Sequence, residues 1–251
     1  MKPTSNTMLI TGGTSGIGRA LAEQFHQAGN QVIITGRRQQ KLDEITGAHP
    51  GMRGMQLDVT DSRAIHAFAT RLQGDFPKLN VLINNAGIMA QEDLSAGTEA
   101  LAVAEDIIQT NVTSVLQLTA ALMPTLLRQP SSTIMATTSG LAFVPRADYP
   151  AYCGSKAFLH SWLQSLRHQL RGTNVEVLEL APPYVQTELT GPAQATDPDA
   201  MPLAEYIAEV MQLLRSSSFP HGEILVERVK MLRDAERSGN YEMVFGVLNQ
   251  G

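Results

Sequence analysis

The chain has 251 residues, 43% of them hydrophobic, which is long enough for one large, well-buried α/β domain. Its net charge of −5, with no basic run longer than the pair Arg37 and Arg38, argues against nucleic-acid binding and against adhesion to an anionic membrane. A single cysteine, Cys153, excludes an internal disulfide and a cysteine-based zinc cluster, and the histidines show no H-E-x-x-H or similar ligand spacing, so no metal site is expected.

The opening MKPTSNTMLITGG has an apolar run far too short for a signal-peptide core. No uninterrupted apolar run of about 18 residues follows, so no membrane insertion is expected and the expected location is cytoplasmic. MLIT (8–11) predicts a first strand, and the helix starting near Gly16 follows it. VIIT (32–35) predicts a second strand and QQKLDEIT a helix. RGMQLDV (53–59) predicts a third strand and SRAIHAFATRL a helix. NVLINNAG (80–87) is a fourth strand running into a polar turn, followed by helical stretches near 98–109 and 112–127. STIMATTS (132–139) is a fifth strand, a helix covers about 152–170, and NVEVLELA (174–181) is a sixth. LAEYIAEVMQLLR reads as a helix and GEILVER as a seventh strand. Strand and helix alternate over the whole length, which predicts a Rossmann-type, doubly wound parallel sheet of about seven strands with helices on both faces. Residues 1–251 form a single domain, with 190–202 (TGPAQATDPDAMP) as a loop or lid over a substrate.

In such a sheet ligands collect beyond the carboxyl ends of the strands, where strand order reverses. After the first strand comes TGGTSGIG. Gly12, Gly16 and Gly18 let the backbone turn tightly and approach a pyrophosphate, and the helix N-terminus offers N–H groups and partial positive charge. The second strand ends ITGRR. Gly36 stands where an acid would bind a ribose 2′-hydroxyl, and Arg37 and Arg38 follow, which favours the 2′-phosphate of NADP(H) over NAD(H). Asp58, beside Val59 at the third strand's end, either accepts a bond from the adenine amino group or caps the helix near Ser62. Asn85, Ala86 and Gly87 end the fourth strand with small side chains that admit a flat ligand or simply form a turn. Tyr152 and Lys156, in YCGSK, are four apart and share a helix face. An ammonium there favours the phenolate, although a surface pair has the same spacing.

TGGTSGIG, NNAG, Ser139 and YCGSK occur in the order and spacing of the short-chain dehydrogenase/reductase family, which the chain resembles over essentially its whole length. The competing phenol, Tyr149, has Cys153 rather than lysine four residues on. APPYVQTEL and EILVERVKMLRDAERSG are similar to the subgroup containing the oxidoreductase encoded with D-alanyl-lipoteichoic acid genes. The resemblance implies a hydride transfer between NADP(H) and a carbonyl or secondary alcohol. It also implies a tetrad of Asn111, Ser139, Tyr152 and Lys156. In it Tyr152 is general acid and base, Ser139 binds the substrate oxygen, and Lys156 lowers the phenol pKa and holds the nicotinamide ribose. Asn111 bends the helix and places a water there, a role that competes with that of a simple helix cap. The implied cofactor contacts add Thr14, Ser15, Ile17, Val185 and Thr187 to the residues above. Pro183 replaces the family's more usual glycine, changing the backbone next to Val185. Ser15 stands where many NADP-dependent relatives carry a basic residue, leaving the Arg37 and Arg38 loop as the main support for a 2′-phosphate. The resemblance also implies a homodimer or homotetramer joined through the helices near 112–127 and 152–170. The competing classes are a nucleotide-binding sensor without turnover, which has no need of a catalytic register, and an epimerase or dehydratase using bound cofactor, which is usually longer. The substrate is expected to touch 88–96, 141–151 and 190–202.

Overall fold

The computed structural model describes residues 1, 3–216 and 219–250. Along the chain run β1 (Thr7–Ile10), α1 (Gly16–Gln27), β2 (Gln31–Gly36), α2 (Gln39–Ala48), β3 (Arg53–Gln56), α3 (Ser62–Asp75) and β4 (Leu79–Asn84). Then follow α4 (Thr98–Ile108), α5 (Ser114–Arg128), β5 (Ser132–Thr137), α6 (Pro150–Gln169), β6 (Val175–Leu180), α7 (Leu203–Ser216), β7 (Glu223–Ile224), α8 (Lys230–Arg233) and α9 (Tyr241–Leu248). The strands form one parallel sheet in the order β3-β2-β1-β4-β5-β6-β7.

Because successive strand side chains point to opposite faces, apolar runs such as Met8-Leu9-Ile10 feed two cores at once. Met8, Ile10, Val32 and Ile34 pack under α1, α2 and α7, against residues such as Leu21, Phe25, Leu42 and Tyr206. Leu9, Ile33, Leu82 and Ile134 face the other way, against Ile65 and Phe68 of α3, Leu118 and Leu122 of α5 and Leu163 of α6. Each fully buried Leu, Ile or Phe contributes about 1.5–3 kcal/mol, so a one-residue slip of any central strand would expose several such side chains.

The largest shortfalls from the predicted strands are at β3 and β7. β3 stops at Gln56, since β2 ends at Gly36, whose carbonyl takes the last ladder bond from Leu57 N at 3.1 Å. β7 is only Glu223–Ile224 because its partner β6 runs into Pro182 and Pro183, which have no N–H to continue the ladder. The two helical stretches predicted after the fourth strand are joined into one rod by a π-helical turn at Gln109–Thr113. Among the described residues no helix is long and apolar enough to cross a membrane.

The chain leaves β1 toward one sheet edge and β4 toward the other. The crevice above their carboxyl ends is the place where loops from both halves meet.

Candidate active site

Thr11 stitches the floor of this crevice. Its buried hydroxyl accepts from Asn85 N and Ala86 N, each at 3.0 Å, and Asn85 Nδ2 donates to Thr11 O at 3.1 Å. The ends of β1 and β4 are thus held so closely that a side chain on Gly12, which has φ +66°, would place its Cβ 2.9 Å from Ala86 Cα. A Cβ on Gly18 would lie 2.3 Å from Asn85 Nδ2 and 2.4 Å from Gly12 O, so glycine is what allows α1 to seat on this turn. Ser15 occupies the N-cap of α1 in an extended conformation and makes no side-chain cap bond, so it takes none of the first-turn N–H groups that would face an anion. Ile17 turns back onto the core under α1. Thr187, arriving from β6, lies opposite Gly16: a Cβ there would sit 3.4 Å from the threonine methyl. Residues after β1, β4 and β6 therefore converge on one cradle.

At the other end of the crevice, Gly36 packs beneath Thr14, whose methyl would meet a Cβ at 2.7 Å. Arg37 and Arg38 are exposed, Arg38 standing at the N-cap of α2. Asp58 does not cap α3; that role falls to Asp61, whose carboxylate accepts from Arg63 N and Ala64 N. Asp58 accepts instead from Thr60 N at 3.0 Å and Thr60 Oγ1 at 2.8 Å. Those bonds hold its carboxyl below the ordinary range, with help from the charge of Arg37. Asp58 and Arg37 thus lie within electrostatic reach of each other at the rim, with Val59 next to Asp58 partly buried.

Tyr152 and Lys156 lie one turn apart on α6, both buried. The Lys156 amine is 5.5 Å from the centre of the Tyr152 ring and donates to Thr137 O at 2.8 Å. Ser139 lies two residues beyond the end of β5; its hydroxyl is near enough to the Tyr152 phenol to favour the phenolate, and it accepts from Leu141 N at 3.1 Å. Burial pushes the phenol up to about 12, against the effect of Ser139, and pushes the Lys156 ammonium down to about 8. In the protein alone, desolvation of the phenol outweighs any lowering of its pKa by Lys156. The amine lies over the ring rather than in a bond to the oxygen, and desolvation dominates.

Asn111 sits in the π-turn, fully buried, and is not a helix cap. Its Oδ1 accepts from Ile88 N at 2.9 Å, and its Nδ2 donates to Ile88 O at 3.0 Å and to Ser155 Oγ at 3.1 Å. The widened turn brings this amide to the backbone that follows NNAG. A Cβ on Gly87 would lie 3.2 Å from Asn111 Oδ1 and 3.6 Å from Lys156 Nζ, so Gly87 leaves the space between them open. Ser155, which donates to Tyr152 O at 2.7 Å, joins Asn111 to α6.

The tail of the site differs from a plain loop. Gln194, buried in a short 3₁₀ turn (Pro192–Thr196), donates to Val185 O at 2.8 Å and to Thr187 Oγ1 at 3.1 Å, and accepts from Thr190 N and Oγ1. Val185 also pairs with Met201, and Tyr184 Oη donates to Asp197 at 2.9 Å. Residues 190–202, expected to be a loop or lid, are thus anchored at Gln194, Ala200 and Met201. An isolated glutamine among small residues gave no sequence signal for this. On the other side of Tyr152, Ile88, Met89, Ala90, Leu141 and Tyr149 form an apolar wall, drawn from two of the three segments expected to contact substrate.

A family model described as short chain dehydrogenase matches residues 6–198. The uncharacterised oxidoreductase DltE of Bacillus subtilis (strain 168) is 42% identical over 252 residues, covering 99% of this chain and 98% of the relative. A solved short-chain dehydrogenase from Streptomyces avermitilis has a TM-score of 0.81 at 26% identity and covers 97% of both chains. A short-chain dehydrogenase from Sphingobium yanoikuyae, in complex with NADPH, has a TM-score of 0.80 at 25% identity, covering 96% of this chain and 95% of that one.

Proposed function

This chain belongs to the short-chain dehydrogenase family, whose members are NAD(P)-dependent oxidoreductases, and on that premise we propose that it reduces a carbonyl, or oxidises the matching secondary alcohol, with NADP(H) and with Tyr152 as general acid and base. The observation that carries the reading is the convergence of Ser139 and the Lys156 amine on one buried phenol, that of Tyr152.

The residues present fit the cofactor: Gly12 and Gly18 let β1, β4 and α1 close tightly on one another, and Ser15 leaves the first-turn N–H groups of α1 without a side-chain cap, as an anion-binding turn requires. The first turn of α1 would take the pyrophosphate with Thr14 and Ser15 nearby. Arg37 and Arg38 would pair with a 2′-phosphate, and Asp58 would meet the adenine edge. Asn85, Ala86 and Gly87 would flank the ribose, and Val185 and Thr187 the carboxamide. When bound, NADPH supplies a hydride to the substrate carbonyl carbon.

As negative charge develops on the carbonyl oxygen, the Ser139 hydroxyl donates a bond to it and Tyr152 gives up its phenolic proton. A phenol raised to about 12 is protonated at neutral pH, which suits it as the acid in the reducing direction. The Lys156 ammonium stabilises the phenolate left behind, and it would also bind the nicotinamide ribose. Asn111 fixes the Ile88 backbone over this space, so the apolar wall keeps its place beside Tyr152. The reading includes a cytoplasmic protein that forms a homodimer or homotetramer. Leu127 on α5 and Phe158 on α6 are exposed, one apolar side chain on each of the two helices that would meet a second copy.

The test is NADPH oxidation over a panel of aldehydes and ketones, with NADPH titrated by fluorescence. Turnover with at least one carbonyl is expected. Tight cofactor binding with no turnover across the panel would instead identify a nucleotide-binding sensor.

A further inference from the structure

We propose that Glu179 is a positioning residue: it straps the strand end that carries Ser139 to the helix that carries Tyr152 and Lys156. The inference rests on the activity proposed above. Glu179 lies on β6 with none of its surface exposed, and a carboxylate is rarely buried so fully unless each oxygen has a partner. Here Oε1 accepts from Thr138 Oγ1 at 2.7 Å, and Oε2 lies 2.8 Å from His160 Nδ1. Thr138 is the residue before Ser139, and His160 is one helical turn beyond Lys156. The residue before Thr138 is Thr137, whose carbonyl takes the Lys156 amine at 2.8 Å. Two consecutive residues at the end of β5 are therefore held to two consecutive turns of α6, the first directly and the second through Glu179. Any slide or rotation of α6 against this strand end breaks both connections, and with them the alignment of Ser139 and Tyr152.

The surroundings reinforce the strap. Glu223 on β7 is the register partner of Glu179, and two carboxylates facing each other repel unless each is neutralised. Glu223 is taken by Arg233 of α8 in a two-bond pair, Nε at 2.6 Å and Nη2 at 2.9 Å. Phe143, four residues after Ser139, meets the His160 ring edge-on with centres 4.9 Å apart and lies 4.9 Å beneath the Arg233 guanidinium. The second ring nitrogen of His160 is engaged by the Gln164 amide at 2.7 Å. His160, Glu179 and Glu223 have ligand atoms within 4.8 Å of one another, but these atoms are committed to Thr138, to each other and to Arg233. The cluster is a fastening between β5, β6, β7, α6 and α8 on the flank of the reaction centre.

Thr138→Val keeps the side-chain shape and removes only the hydroxyl. Glu179→Gln keeps the length but offers one oxygen to two donors. Each should lower kcat about ten- to a hundredfold while the NADPH Kd moves less than about twofold, and Thr138→Ser should restore kcat. Parent kcat in Thr138→Val, a loss that serine does not restore, or a fall in NADPH affinity matching the fall in kcat would overturn the proposal. A second arm needs no substrate. By hydrogen exchange, the amides of 139–142 should exchange faster in Thr138→Val and return to the parent rate in Thr138→Ser. If the parent turns over nothing in the carbonyl panel, the activity reading fails by itself. Unchanged exchange in Thr138→Val overturns the strap whatever the panel shows.

Discussion

Replacing Lys156 with methionine separates the stability of the fold from the chemistry of the site. Lys156 is only 4% exposed, and burial pushes its ammonium from 10.5 down to about 8. The folded protein therefore holds this proton less tightly than the unfolded chain does. The stability linked to the group is fully present above 10.5 and is lost as pH falls through about 8. At 1.36 kcal/mol per pH unit, the interval from 10.5 to about 8 corresponds to on the order of 3 kcal/mol withheld at pH 7. Methionine fills the same stem volume without charge, but it leaves the Thr137 carbonyl without its donor, a loss of about 1 kcal/mol. Lys156→Met should thus be about 2 kcal/mol more stable than the parent at pH 7. The advantage should vanish by pH 10.5, where the parent amine is neutral in the fold. Urea unfolding of both proteins at the two pH values measures the difference directly, because every other titrating group cancels in it. The same variant should lose turnover and bind NADPH more weakly. A variant less stable than the parent at pH 7, or a difference that does not change between the two pH values, would refute the reasoning.

Tyr152→Phe keeps the ring and its packing, and it should lower turnover by about 10²–10⁴-fold with little change in NADPH Kd; Tyr149→Phe, in the same assay, is the control and should be nearly silent. Arg37→Ala should remove an NADPH-over-NADH preference of about 1–3 kcal/mol, read from dissociation constants for both cofactors, and equal constants in the parent would reject it. Gly12→Ala puts a Cβ against the Ala86 backbone at positive φ, so it should lower stability by about 1–3 kcal/mol in denaturant titrations and weaken NADPH binding. Residues 190–202 should gain hydrogen-exchange protection when NADPH binds, with the amides near Gln194 already slow in the free protein; uniformly slow exchange across the segment without cofactor would count against a lid.

The order of elements, the parallel sheet and the cluster of loops at its carboxyl edge were legible in the sequence, because they follow from local periodicity and glycine spacing. Met8-Leu9-Ile10 reads as a strand buried on both faces without knowledge of its neighbours, and G-x-x-x-G-x-G announces a tight turn into a helix. The one-turn separation of Tyr152 and Lys156 is likewise a property of one helix. Where strands end was not legible: β3 and β7 stop where their partners β2 and β6 stop offering bonds, and that is decided across the ladder. Competing roles for a polar side chain were settled in the same way. Asp58 reads in the sequence as a possible cap, and only the path of the turn gives that role to Asp61. Asn111 gained its place from a π-turn that aims its amide at Ile88, 23 residues away in sequence. Gln194, Ser155 and the Glu179, His160 and Thr138 strap left no pattern in the sequence, since hydrogen-bond partners carry no fixed spacing once they lie on different elements. The phenol and ammonium of YCGSK show the division within one motif. Their shared face is set by helical geometry, whereas the direction in which each proton affinity moves is set by how much water the surrounding fold removes.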